Sequence, residues 1–148
     1  MKDIHNVMSI VSTLLPVNRT ADANGAGVDL QGYEAAEAIA SVGASADTLN
    51  GSNTISLELE ESADDSTYTD VAEADMLGAI AGTTTGQFAL IDAATEDDTL
   101  YRVGYIGNKQ YVRVVDNRTG THTNGTPTSA VVVRMHARHQ PAGATQTP

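Results

Sequence analysis

The side chains best placed to do chemistry are five carboxylates, Asp64, Asp65, Asp70, Glu73 and Asp75, gathered within one short stretch. Such a cluster suggests a hard cation, because Ca²⁺ takes carboxylate and carbonyl oxygens. A calcium loop of the helix–loop–helix kind needs Gly at its sixth position and Glu at its twelfth. Counted from Asp64, those positions hold Thr69 and Asp75, so the pattern fails. The cluster reads as a solvated acidic loop. His136 and His139 are a second candidate. On a strand, residues three apart point to opposite faces, so the two rings would not converge on a metal. His5 and His122 add no fixed spacing. Ser, His and Asp all occur, but no Gly-x-Ser-x-Gly elbow presents a nucleophile. Gly82-Thr83-Thr84-Thr85-Gly86 lacks the Lys of a phosphate-binding loop, and no dinucleotide fingerprint is present. Asn18, Asn50, Asn117 and Asn124 open glycosylation sequons, which without a secretory signal report only turn-rich composition. The expectation is a protein that is not an enzyme, with no catalytic, cofactor-binding or metal-binding residues and no cofactor.

The elements that would position any such residue come from a chain of 148 residues, enough for one domain with one core. There is no Cys, which excludes disulfides and thiolate chemistry. With five Tyr, one Phe and no Trp, a base-stacking surface or an aromatic sugar platform is disfavoured. No apolar run approaches the ~18 residues of a membrane span, and the first residues lack a secretory apolar region, so synthesis in the cytoplasm without processing is expected. Of 19 acids, 17 fall between Thr20 and Tyr101, a stretch without Lys or Arg. From Arg102 onward, Arg102, Lys109, Arg113, Arg118, Arg134 and Arg138 face a single acid, Asp116. The basic residues are spread singly along expected strands. The two regions are therefore expected to lie side by side and neutralise each other, the alternative being a basic docking face for a partner. Overall acidity opposes binding to nucleic acid, and neither nucleic acid nor membrane is expected as a partner.

Short alternating runs separated by turn residues indicate strands throughout. They are Val7–Ser12 (stopped near Pro16), Gly27–Leu30, Tyr33–Val42, Thr54–Glu60, Gln87–Asp92, Thr99–Ile106, Gln110–Asp116 and Ser129–His136. The clearest is Thr54–Glu60, with Ile55, Leu57 and Leu59 on one face and Ser56, Glu58 and Glu60 on the other. In Thr99–Ile106, the set Leu100, Arg102, Gly104 and Ile106 faces away from Tyr101, Val103 and Tyr105. Gly107-Asn108 predicts a hairpin between this strand and the next. Asp70–Leu77 predicts one or two helical turns, with Asp70 as N-cap and Glu73 three residues on. The fold class expected is all-β: a jelly-roll-like β-sandwich of about eight antiparallel strands with one short helix. Residues 1–15 form an arm or first strand, 16–140 a single domain, and 141–148 a mobile tail.

Several segments carry a resemblance. They are Met1-Lys2-Asp3-Ile4-His5-Asn6, Gly32-Tyr33-Glu34-Ala35, Val71–Gly78, the aromatic-rich Tyr101–Arg113 around a Gly-x-Lys turn, and Arg134–Pro141. Together they resemble the small jelly-roll head decoration (cement) proteins encoded near the major capsid protein of tailed double-stranded DNA phages. Asn117–Thr126 is longer and more polar than that pattern, and Met135 stands where a small residue is usual. The resemblance implies a virion structural protein on the outer head surface, stabilising capsomer junctions. It implies the major capsid protein as partner and self-association as a homotrimer. The expected interface residues are Tyr101, Arg102, Tyr105, Lys109, Tyr111, Arg113, Ile4 and Val7. The competing expectation is a tail or baseplate jelly-roll module that binds a host receptor or glycan.

Overall fold

Alternation with a period of two puts one side of each strand in the core and the other outside. In the computed structural model, which describes residues 3–83, 85–139 and 142, that pattern yields two antiparallel sheets packed face to face. The strands are β1 (Met8–Arg19), β2 (Ala23–Asn24), β3 (Val28–Asp29), β4 (Ala35–Val42), β5 (Thr54–Ser62), β6 (Thr69–Asp70), β7 (Met76–Leu77), β8 (Gln87–Ile91), β9 (Thr99–Tyr105), β10 (Tyr111–Thr119) and β11 (Thr126–Met135). Sheet A runs β1-β11-β4-β9-β7. Sheet B has β10 and β5 at its centre, with β2 and β3 on the outer side of β10 and β6 and β8 on the outer side of β5. The pairings nest: β1 with β11, β2 and β3 with β10, β4 with β9, and β5 with β8. A long antiparallel ribbon folded onto itself in this way is a jelly roll, with eight principal strands. The all-β sandwich expected from the sequence is the fold observed.

The core is thin on one side and bulky on the other. Sheet A contributes Ala38, Ala40, Ala130, Val103 and Val132, and sheet B contributes Ile55, Leu57, Leu59, Ile91 and Phe88. Small residues on one sheet leave room for large ones on the other at the usual ~10 Å sheet separation. At one edge the sheets are tied by Thr13, where β1 carries a register shift. Its hydroxyl donates to the Ala26 carbonyl (2.8 Å) and accepts from the Val114 N–H (3.2 Å). Its carbonyl accepts from the Ala26 N–H at 2.7 Å. Gly25 passes so close that a Cβ would sit 2.3 Å from the Thr13 hydroxyl oxygen, so no larger residue fits.

Three expectations need correction. Thr99–Ile106 and Gln110–Asp116 do not form a hairpin: β9 lies in sheet A and β10 in sheet B. The Gly107-Asn108 signal marks a real reversal, but one that crosses between sheets. Its backbone groups bond elsewhere, the Ile106 N–H to the Asp75 carbonyl and the Gln110 carbonyl to the Leu30 N–H. The Tyr105 side chain fills the arch. The short helix shrinks to one 3-10 turn, Glu73–Asp75, whose N-cap position is held by Ala72 and not by Asp70, with no side-chain capping bond. Asp70 instead pairs with Glu60 in β6, and the Val71 N–H donates to the Leu59 carbonyl. The segment spans from sheet B to sheet A, and bonds to two sheet edges outweigh local helix propensity. The first strand does not stop near Pro16 but continues to Arg19, because an edge strand tolerates a residue without an N–H and the register shifts there. The segment 3–7 is a turn ahead of β1, with Asn6 bonded to the Asp3 carboxylate. Apart from Ala142, the tail expected at 141–148 lies outside the described residues.

One charged pair lies inside the sandwich. Asp116 and Arg118, two apart on β10, both point inward, and their side chains are 0% and 2% exposed. Arg118 donates to both Asp116 oxygens (3.0 and 2.9 Å) and reaches across to the Thr128 hydroxyl of sheet A (3.0 Å). Removing one member leaves the other charge buried and unpaired. Arg118→Met alone is therefore expected to cost about 3–5 kcal/mol, and pairing it with Asp116→Asn to recover most of that loss. Urea unfolding of the three proteins measures this. A single variant within 1 kcal/mol of the parent, on the scale of an exposed pair, would show that the pair contributes little.

Candidate functional site

The eight expected interface residues do not share a face. Tyr105 points inward beneath the arch between β9 and β10, its hydroxyl donating to Glu61 (2.6 Å) and accepting from the Lys109 N–H (2.8 Å). Burial, followed by the Glu61 carboxylate, pushes its phenol well above the usual range. Tyr101 is half-buried on the same inward side and donates to the Glu96 carbonyl, and burial raises its phenol as well. Arg102 points outward from sheet A and pairs with Glu37 at 3.2 Å. Tyr111 and Arg113 point outward from sheet B, where Arg113 pairs with Glu60 and stacks over the Tyr68 ring at 4.0 Å. Lys109 is exposed at the arch. Ile4 is exposed and Val7 half-buried in the turn that precedes β1. The residues are thus divided between two outward faces and the interior.

Carboxylates that might have held a metal serve the fold instead. Asp64 accepts from the Thr67 and Ser66 N–H groups and from the Ser62 hydroxyl, and these bonds, the Thr67 N–H first, hold its carboxyl far below the usual range. Asp65 accepts from the Tyr68 hydroxyl. Asp47 accepts from the Asn124 and Gly125 N–H groups. Among the described residues, no group of three His, Cys, Asp or Glu could hold a metal ion, and no helix is long and apolar enough to cross a membrane. The basic third does neutralise the acidic middle: Arg102–Glu37, Arg113–Glu60 and Arg138–Glu34 each join one to the other.

What the sequence pattern did not reveal is the outward face of sheet A. Its register aligns four rows across the strands. One holds Met8, Met135 and Ala35. The next holds Ile10, Val133, Glu37, Gly104 and Leu77. The third holds Ser12, Val131, Ile39 and Arg102, and the fourth Ser129, Ser41 and Leu100. Ile10, Leu77 and Leu100 are 55%, 60% and 68% exposed. Glu37 and Arg102 are the charged residues in these rows. The corresponding face of sheet B carries Asp29, Glu58, Glu60 and Asp70 against Arg113. The available signal was the run Val131-Val132-Val133, apolar on both faces where the core needs one.

At the Met135 end this face dips into an open groove of about 740 Å³, floored by Leu77, Ile106 and Met135 and walled by Tyr33, Glu34 and Lys109. Arg134 stacks on Tyr33 at 4.4 Å, and Tyr105 is buried. Among the groove's lining residues, Tyr33 is the partly exposed aromatic, with Arg134 over one face of its ring.

Two outcomes test these assignments. Tyr105→Phe strips partners from Glu61 and the Lys109 N–H, and a stability loss of about 1–2 kcal/mol is expected in denaturant unfolding. Asp64 has a lowered folded value, so its contribution is present above the ordinary 3.8 and fades as pH falls below it. The melting-temperature gap between the parent and Asp64→Ala should be constant near neutrality and close in acid. A gap that widens in acid would contradict the assignment. Compared with known proteins, the chain matches no family model, no curated sequence and no solved structure at a significant level.

Proposed function

We propose that this chain is a virion structural protein, a capsid decoration (cement) protein that binds the outer surface of a phage head and stabilises capsomer junctions. The observation that carries the reading is the outward face of sheet A, a broad apolar surface on a jelly roll whose acidic clusters are committed to turns and ion pairs. Such a surface fits contact with protein better than turnover of a substrate. The sequence resemblance to head decoration proteins supplies the biological setting, with the major capsid protein as partner. Many weak, identical contacts around a head would add into firm attachment. The scarcity of aromatic side chains, with five Tyr, one Phe and no Trp, disfavours the alternative of a glycan-binding tail module.

The test is co-sedimentation of the purified chain with heads of the phage that encodes it. Saturable binding at a fixed ratio to the major capsid protein is expected, together with a higher temperature of head disruption. Absence of binding to heads, or binding confined to tails or to glycans, would overturn the reading.

A further inference from the structure

We infer that Asn50 is a site of spontaneous modification, converting to aspartate and isoaspartate through a cyclic imide, and that the fold withholds this reaction from the other two Asn-Gly pairs. The pairs are Asn24-Gly25, Asn50-Gly51 and Asn124-Gly125. Gly favours the reaction because no Cβ stands in the way of its attacking nitrogen. That backbone nitrogen gives up its proton and bonds to the Asn side-chain carbon. The bond from that carbon to the side-chain nitrogen breaks, and the nitrogen leaves as ammonia. Water then opens the imide at either carbonyl. In sum a water is consumed and an ammonia released, nothing is oxidised or reduced, and a carboxylate replaces the amide.

The fold holds these three identical dipeptides in different ways. At Asn24, in β2, the following Gly25 is buried and its N–H donates to the Val114 carbonyl at 2.9 Å. At Asn124, Asp47 grips both halves of the pair. Its carboxylate accepts from the Gly125 N–H at 2.7 Å and from the Asn124 side-chain amide at 3.0 Å. A nitrogen held against a carboxylate resists deprotonation, since the anion that forms would face a negative charge. At Asn50 neither restraint exists. Asn50 and Gly51 are exposed in the connection between β4 and β5, and among the described residues nothing accepts the Gly51 N–H.

The turn also prepares Asn50 for attack. Backbone bonds between Asn50 and Asn53 run in both directions (3.1 and 2.8 Å) and close a two-residue loop. Within it the Asn50 side-chain oxygen accepts from the Ser52 N–H at 2.9 Å. That bond folds the side chain forward over its own backbone. It also sets a donor on the oxygen that becomes negative as the nitrogen adds, which stabilises the tetrahedral state. Asn53 is followed by Thr54 and has its side chain committed. Its Nδ2 donates to the Thr48 carbonyl and its Oδ1 accepts from the Thr121 N–H, both at 2.8 Å. The turn lies outside the four rows of sheet A, so conversion adds a negative charge to a chain already at −11 without altering that face.

The experiment incubates the native full chain at mildly alkaline pH and maps conversion by mass spectrometry. Cleavage after Glu puts the three pairs in separate fragments, 1–34, 38–58 and 97–148. Asn50 is expected to convert about tenfold or more faster than Asn24 or Asn124, about a decade for each hydrogen bond that must first open. Incubation in ¹⁸O-water should label the new carboxylate. In denaturant the three rates should converge. Gly51→Ala should remove most of the conversion at Asn50 in a folded chain, since an added Cβ there meets nothing within 4 Å. Asp47→Ala frees the Gly125 N–H and should raise conversion at Asn124 toward that of Asn50. Equal rates at the three pairs in the native chain, faster conversion at Asn24 or Asn124, or an Asn50 rate indifferent to Gly51→Ala would each overturn the inference. A folded Asp47→Ala chain with Asn124 still protected would overturn the part assigned to Asp47.

Discussion

Sheet A exists because the last strand of the chain enters between the first and the fourth. β11 bonds β1 along one edge and β4 along the other, and within the sheet β1 has no other neighbour. Partners such as Met8 and Met135 or Arg19 and Thr126 lie more than a hundred residues apart in sequence. The nested pairing follows from this closure, since β10 must return beside β5 and β9 beside β4 for β11 to reach its slot. The ordering cost of these loops falls before most of the core is complete. A topology so dominated by distant contacts belongs to the slow-folding end of two-state domains. The Thr13 bonds to Ala26 and Val114 then fasten sheet A to sheet B at the edge where β1 begins its crossing.

The faces of strands were legible where alternation was clean, and the topology was not. Ile55, Leu57 and Leu59 are fully buried, and Val103 and Tyr105 oppose Leu100 and Arg102 as the period of two requires. Pairing is a separate matter. Gly107-Asn108 announces a reversal, yet a reversal within one sheet and one between sheets use similar turn residues. What decides is whether the flanking strands have better partners, and β9 has β4 while β10 has β5. The Asp70–Leu77 segment failed for a related reason. Its capping-box spacing is a local preference of about a kilocalorie per mole, while its backbone found bonds on two sheets. Interface residues were the least legible, because exposure depends on which face each strand turns outward.

Charge placement was legible as a tendency and specific only in the fold. The acidic middle supplies β2, β3, β5, β6 and β8 of sheet B and β4 and β7 of sheet A, and the basic third supplies β10, which pairs with β2, β3 and β5, and β11, which pairs with β4. Arg113 settles between Glu60 and the Tyr68 ring. Arg118 is the exception, since it bonds the one acid of its own third and does so inside the core. Its reach to Thr128 makes the buried pair a link between sheets as well as a neutralised charge. Desolvation of two ions is costly and offsets much of their attraction, so the intact pair adds little net stability while the loss of one member is costly.

Why the exposed apolar area lies on a face and not along an edge follows from how the edges are finished. β1 is long and would offer a row of unpaired backbone groups to another chain, the usual route to uncontrolled pairing. It carries Pro16 and two register shifts, which interrupt that row. On the opposite side β7, two residues long, covers only the Gly104 and Tyr105 end of β9. Strand addition is therefore hindered along the β1 edge. The outward side chains between those edges are under no such restraint. Val132 alone meets the core's requirement in the middle of β11, so Val131 and Val133 contribute nothing inside. Their β-branched shape suits a strand, but Thr would serve that purpose and stay soluble. Together with Ile10, Ile39 and Leu100 on neighbouring strands, they make an outward apolar surface that the core of the sandwich does not require.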